Sequence, residues 1–130
     1  MTLTKIVPNL MVTDMTRAIT FYRDVLGFAL VRSVPDQAPY AFAWMQRGPI
    51  DIFLNDAASV RKELEPLGDF AAGAGGITLY FVVEGIDVLH RTVEAKVTIA
   101  LPLERKFYGM TEFTIQDADG YVLTFAERQA

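Results

Sequence analysis

Ile6-Val7-Pro8-Asn9-Leu10-Met11-Val12-Thr13-Asp14 and Ile77-Thr78-Leu79-Tyr80-Phe81-Val82-Val83-Glu84-Gly85 are two versions of one pattern. In each, a strand-like alternation leads into a tripeptide that opens a helix, Val12-Thr13-Asp14 or Val83-Glu84-Gly85. An amphipathic run follows, ending near Gly27 in one case and near Lys96 in the other. Strand-like pieces come next, the last being Ile50–Asn55 and Tyr121–Glu127. The step from Val12 to Val83 exceeds the roughly 20–50 residues of a solenoid repeat. It predicts two supersecondary units in one domain, residues 1–130, with halves at about 5–57 and 76–127. A cleft between such halves is where a small molecule binds.

Working outward, Asp14 stands where an N-cap belongs, with Ala18, Ile19, Tyr22, Val25 and Leu26 as the apolar stripe behind it. Gly27 ends that helix. Strands are predicted at Phe28–Ser33, Tyr40–Gln46 and Ile50–Asn55, with a short connecting helix at Ala57–Leu67. The glycine-rich stretch 71–76 reads as a flexible joint, not a phosphate loop, because no strand leads in and no Gly-Lys-Ser/Thr follows. The second half reads as strand Ile77–Val83, helix Asp87–Ala95, strand Val97–Leu101, a loop through Pro102, and strands Thr111–Gln116 and Tyr121–Glu127. Asp117-Ala118-Asp119-Gly120 between the last two suits a tight hairpin. The order is βαβββ twice: an α+β chain of antiparallel-rich sheets with helices segregated to one face.

Composition narrows the function classes. At 130 residues the chain can bury a core, and 52% hydrophobic content leaves room for a buried partner surface. No apolar run reaches a membrane span, and the amino terminus shows no signal-peptide pattern, so a cytoplasmic protein is expected. Without cysteine there is neither disulfide nor thiolate ligand. A net charge of −4 with no basic stripe argues against nucleic acid.

Val12-Thr13-Asp14 with Phe21-Tyr22-Arg23-Asp24-Val25-Leu26-Gly27-Phe28 resembles the first-half signature of the vicinal oxygen chelate superfamily. Tyr108-Gly109-Met110, Glu112-Phe113 and Asp117-Ala118-Asp119-Gly120-Tyr121 resemble its second-half signature. The superfamily includes glyoxalases, extradiol dioxygenases, and fosfomycin and bleomycin resistance proteins. The resemblance implies sheets curled around a cavity with helices on the convex side, and a homodimer. It is specific for fold and says little of activity, since one scaffold hosts many chemistries.

Strand parity assigns faces independently. Leu10, Val12, Ile50, Ile52, Leu54, Leu79, Phe81, Val83, Phe113, Ile115, Leu123 and Phe125 form the apolar set expected under the helices. The opposite face carries Asn9, Asp51, Phe53, Asn55, Tyr80, Glu112, Thr114 and Thr124, a mixture that suits a binding cavity. Phe42 and Trp44 belong with it, and Ala41 and Ala43 against a helix. The expected ligand-binding residues are therefore Phe42, Trp44, Asp51, Phe53, Tyr80, Tyr108 and Glu112. Arg105 and Lys106 read as loop charges, and His90 as a solvent-exposed helix residue.

Metal-dependent members of the superfamily carry ligands that map by spacing onto Val7, Asp51, Thr78 and Thr124. Only Asp51 has an ordinary ligand group, and one carboxylate does not make a site. No catalytic residue and no cofactor are therefore expected. The resemblance is greatest to the bleomycin resistance branch, whose members sequester a drug. A metal-free small-molecule binding protein is expected, and inward Asp51 and Glu112 suit a cationic aromatic ligand. The alternatives are a lyase or oxygenase with unusual ligands (Asp51, Glu112, Asn9), a metal-free acid–base enzyme, or an interaction module without a ligand.

Overall fold

Residues 1–68, 72–73 and 75–130 are described by the computed structural model. They fall into two compact units, Met1–Gly73 and Ala74–Ala130. The first contains β1 (Asn9–Val12), α1 (Met15–Thr20), β2 (Ala29–Val34), β3 (Phe42–Arg47), β4 (Ile50–Asp56) and α2 (Ala57–Glu63). The second contains β5 (Leu79–Val82), α3 (Ile86–Glu94), β6 (Leu101–Arg105), β7 (Met110–Gln116) and β8 (Val122–Arg128). Each unit is a βαβββ module with a four-stranded sheet, ordered β1-β4-β3-β2 and β5-β8-β7-β6. The pairs β1–β4 and β5–β8 are parallel, as a helical crossover permits, and the remaining neighbours are antiparallel. The α+β duplication expected from the sequence is the fold. The joint expected at 71–76 lies partly outside the described residues.

Local chemistry sets most of the boundaries. Asp14 caps α1, its carboxylate accepting from the Arg17 N–H at 3.0 Å. Past Thr20 the helix widens into a π turn, Phe21–Val25, rather than running on as α-helix to Leu26. The chain leaves it at Gly27, whose φ of +72° few other residues tolerate. Arg47 of β3 donates to the Leu26 carbonyl at 2.7 Å, placing a cation at the helix C-terminus. α2 is shorter than expected, ending at Glu63 before a 3-10 turn at Glu65–Leu67. In the β7–β8 hairpin the Asp117 carboxylate accepts from the Asp119 and Tyr121 N–H groups, both at 2.9 Å.

One strand is displaced from its expected position. β6 begins at Leu101, where the sequence suggested an end, and Pro102 lies within it. β6 is a sheet edge, and its register against β7 shifts between Leu101 and Glu104. Proline is tolerated at such a bulge because no ladder hydrogen bond is required of it. Arg105 consequently belongs to a strand, with its guanidinium donating to Gln129 at 3.3 Å, and is not a loop charge.

Each unit has its own core under its helix. Val12, Ala43, Met45, Ile52 and Leu54 are buried in the first, where α1 packs on β3 and β4 and contributes Ala18 and Ile19. Phe113, Ile115, Leu123 and Phe125 are buried in the second, where α3 packs on β7 and β8. Parity overreached at strand ends and edges. Ile50 is exposed at the start of β4, and Leu79 and Phe81 on edge strand β5 are only partly covered. Ala126, which shares the parity of Thr124, is fully buried.

His90 also departs from expectation. Its side chain is 18% exposed and meets Phe113 edge-on, with ring centres 5.0 Å apart. Ile86, His90 and Val93 stand at i, i+4 and i+7, so all three share the buried face of α3. His90 is therefore part of the packing and not a solvated helix residue.

α3 starts at Gly85, which has no side chain with which to cap it. Glu127 of β8 supplies the cap, accepting from the Gly85 N–H at 2.8 Å and the Ile86 N–H at 3.2 Å. An anion at a helix N-terminus is favoured by the dipole as well as by the hydrogen bonds. Glu127→Ala is expected to cost about 1–2 kcal/mol in urea unfolding with an unchanged m-value, and Glu127→Gln less.

Candidate functional site

The candidate site residues collect on the helix-free faces of the two sheets, one cluster in each unit. In the first, β3 and β4 pair in antiparallel register, Phe42 opposite Asn55, Trp44 opposite Phe53 and Gln46 opposite Asp51. Alternation sends all six side chains to one face. Phe42 and Trp44 both meet Phe53 edge-on, with ring centres 5.1 and 6.2 Å apart. The three rings are half-buried and form a continuous aromatic platform.

Asp51 sits at the margin of that platform and is only 5% exposed. Its Oδ1 accepts from Trp44 Nε1 at 2.6 Å and from Gln46 Nε2 at 2.8 Å, and its Oδ2 accepts from the Lys5 ammonium. Hydrogen bonds from Lys5, then Trp44 and Gln46, hold the carboxyl at about 2, below its ordinary 3.8. The sign of the linkage follows: Asp51 stabilises the fold above about pH 4, and that contribution is lost as pH falls toward 2. Urea unfolding between pH 5 and pH 2 is expected to show this loss, and Asp51→Asn to flatten it. A native protein with the same pH slope in both forms would contradict the assignment.

The second cluster has different chemistry at matching positions. The parallel registers place Asn9 beside Phe53 and Tyr80 beside Thr124, so the pairs correspond in the repeat. Trp44 and Phe53 of the first sheet likewise correspond to Thr114 and Thr124, whose hydroxyls lie 2.8 Å apart. Glu112, 7% exposed, accepts from the Tyr80 hydroxyl at 2.5 Å. Tyr108, on the β6–β7 turn, stands close enough to the same carboxylate to be perturbed by it. The Glu112 carboxylate raises both phenols above their usual range, Tyr80 to about 12. One half thus presents rings, the other a carboxylate bound by the Tyr80 phenol.

The residues do not fit a metal. Val7 has no donor group, the Thr124 hydroxyl is paired with Thr114, and Thr78 precedes β5 without an imidazole or carboxylate to offer. Asp51 is already engaged on both oxygens, and Asn9 is hydrogen-bonded to Asn55. Among the described residues no three His, Cys, Asp or Glu side chains converge as an ion would require.

All seven expected ligand-binding residues lie in these clusters: Phe42, Trp44, Asp51 and Phe53 in the first, Tyr80, Tyr108 and Glu112 in the second. Two members were missed. Gln46 continues the Phe42, Trp44 alternation and could have been read from it. Lys5 precedes β1, in a stretch with no periodicity, and pairs with a residue 46 positions away. No sequence pattern announces it. It changes the electrostatics, because Asp51 already has its cation within the chain.

Comparison with solved structures places this architecture among known folds. A protein of unknown function from Agrobacterium tumefaciens aligns with TM-score 0.76 at 24% identity, over 98% of this chain and 94% of that one. A glyoxalase/bleomycin resistance protein/dioxygenase from Nocardioides aligns with TM-score 0.74 at 19% identity, covering 98% and 87%. Lactoylglutathione lyase from Agrobacterium tumefaciens aligns with TM-score 0.72 at 23% identity, covering 95% and 92%. At such identities the likeness is one of fold. No curated protein matches the chain. The family model described as Glyoxalase/Bleomycin resistance protein/Dioxygenase superfamily matches residues 3–125, and the chain belongs to that superfamily.

Proposed function

We propose that this chain is a metal-free binding protein for a flat aromatic small molecule, seated on Phe42, Trp44 and Phe53. The observation that carries the proposal is that the carboxylate and the indole N–H beside the rings are already satisfied within the chain. Asp51 is engaged by Lys5, Trp44 and Gln46, and the Trp44 N–H is fixed by Asp51, which leaves the half-buried rings as the binding feature. Burying a ligand the size of an indole contributes about 4–6 kcal/mol, and each ring pair about 0.5–1.5 more. After the cost of association this supports affinities approaching micromolar.

The titration behaviour favours binding over turnover. A general acid or base works best with a pKa near the operating pH. Here Asp51 is held at about 2 and Tyr80 at about 12, and Tyr108 is also raised. These groups are displaced away from neutrality, opposite to what acid–base chemistry asks. Drug sequestration, as in bleomycin resistance proteins, is the specific form of the proposal, since it requires affinity alone.

Protein purified without chelators tests the metal-free part. No stoichiometric transition metal is expected, and added Ni, Mn, Zn or Fe should not raise the melting temperature as a tight site would. One equivalent of metal that disappears on Asp51→Ala would overturn the proposal in favour of a metalloenzyme.

A further inference from the structure

We infer that Lys5 is a specificity-determining residue, the chain's own cation filling the place beside Trp44 that a ligand cation would take, so that the aromatic platform selects anionic over cationic ring compounds. The inference deepens the proposed function and rests on it. Three observations carry it. First, the Lys5 ammonium meets Asp51 Oδ2 and lies 6.0 Å from the centre of the Trp44 ring, so one group contacts both the carboxylate and the platform. Second, the two charges are unequally placed: the Asp51 side chain is 3% exposed and that of Lys5 51%. The pair is neutral in sum, yet the charge it turns to solvent is positive. Third, Asp51 receives two further hydrogen bonds, from Trp44 and Gln46, so its acceptor positions are largely taken.

A cationic ligand reaching Asp51 must first expel Lys5 and then be desolvated at a nearly buried carboxylate, for which it gains only the contact Lys5 already made. An aromatic carboxylate faces neither step. Its ring stacks on Trp44 and its charge meets the exposed ammonium, which has three N–H donors, of which Asp51 takes one. Lys5 thereby favours one charge class without touching the stacking surface.

The test uses three probes with one ring system: 2-naphthoate, 2-naphthylmethylammonium and neutral 2-naphthalenemethanol. Each is titrated against the full chain at low ionic strength, with Trp44 fluorescence as the readout. Wild type is expected to bind the naphthoate about tenfold more tightly than the ammonium probe. Lys5→Met is expected to reverse that order while leaving the neutral probe within about twofold. Lys5→Arg, which keeps the charge, should retain the wild-type order. Unchanged selectivity in Lys5→Met, with all three probes still bound, would overturn the role of Lys5 and leave aromatic binding standing. Failure of all three probes to bind wild type would overturn the platform reading and this inference with it. A wild type that prefers the ammonium probe would overturn the inference alone.

Discussion

Trp44→Ala is expected to weaken binding of a flat aromatic ligand by about 100-fold in calorimetric titration, about 2.7 kcal/mol. The substitution removes the largest ring of the platform, which meets Phe53 at 6.2 Å and is itself oriented by its 2.6 Å bond to Asp51. Loss of burial contributes most of the effect and loss of stacking the remainder. Trp44→Phe separates the contributions, since it keeps a ring and deletes the N–H. It is expected to fall between wild type and Trp44→Ala. The fold should tolerate both changes, because Asp51 retains Lys5 and Gln46 as donors. An undiminished affinity in Trp44→Ala would place the ligand elsewhere.

Phe113→Ala is expected to destabilise the protein by about 3–5 kcal/mol, the range for deleting a fully buried aromatic ring. Phe113 is 1% exposed, stacks on Phe125 at 5.1 Å and receives His90 edge-on at 5.0 Å. Its loss opens a cavity between β7, β8 and α3 that none of these neighbours can fill without leaving its own contacts. The melting temperature should drop by roughly 10–20 °C for a chain of this length. Phe113→Leu fills most of the space and is expected to cost less than about 2 kcal/mol. A change under 1 kcal/mol for the alanine variant would show that the core of the second unit lies elsewhere.

The fold was largely legible because its punctuation is local. Asp14, Gly27 and the Asp117–Gly120 turn act on backbone groups within a few residues, and all behave as their sequence neighbourhood implies. The aromatic platform was legible too, since Phe42, Trp44 and Phe53 alternate with small or apolar partners that must face the helix. What escaped depends on position within the sheet or on distant partners. β6 could accept Pro102 only because it is an edge strand with a bulge, which its own residues do not disclose. His90 was misread by residue type, although its spacing from Ile86 and Val93 marks the buried face. Lys5 and the Glu127 cap join residues 46 and 41–42 positions apart, beyond the reach of any periodicity. The charge environment of Asp51 therefore required the structure.

The most direct measurement is a titration of the single tryptophan's fluorescence with flat aromatic compounds, performed in excess chelator. The account predicts saturable quenching or a spectral shift of Trp44 with the chelator present, and no consumption of the ligand over hours. Binding that vanishes in chelator, or a ligand that is chemically converted, would contradict it.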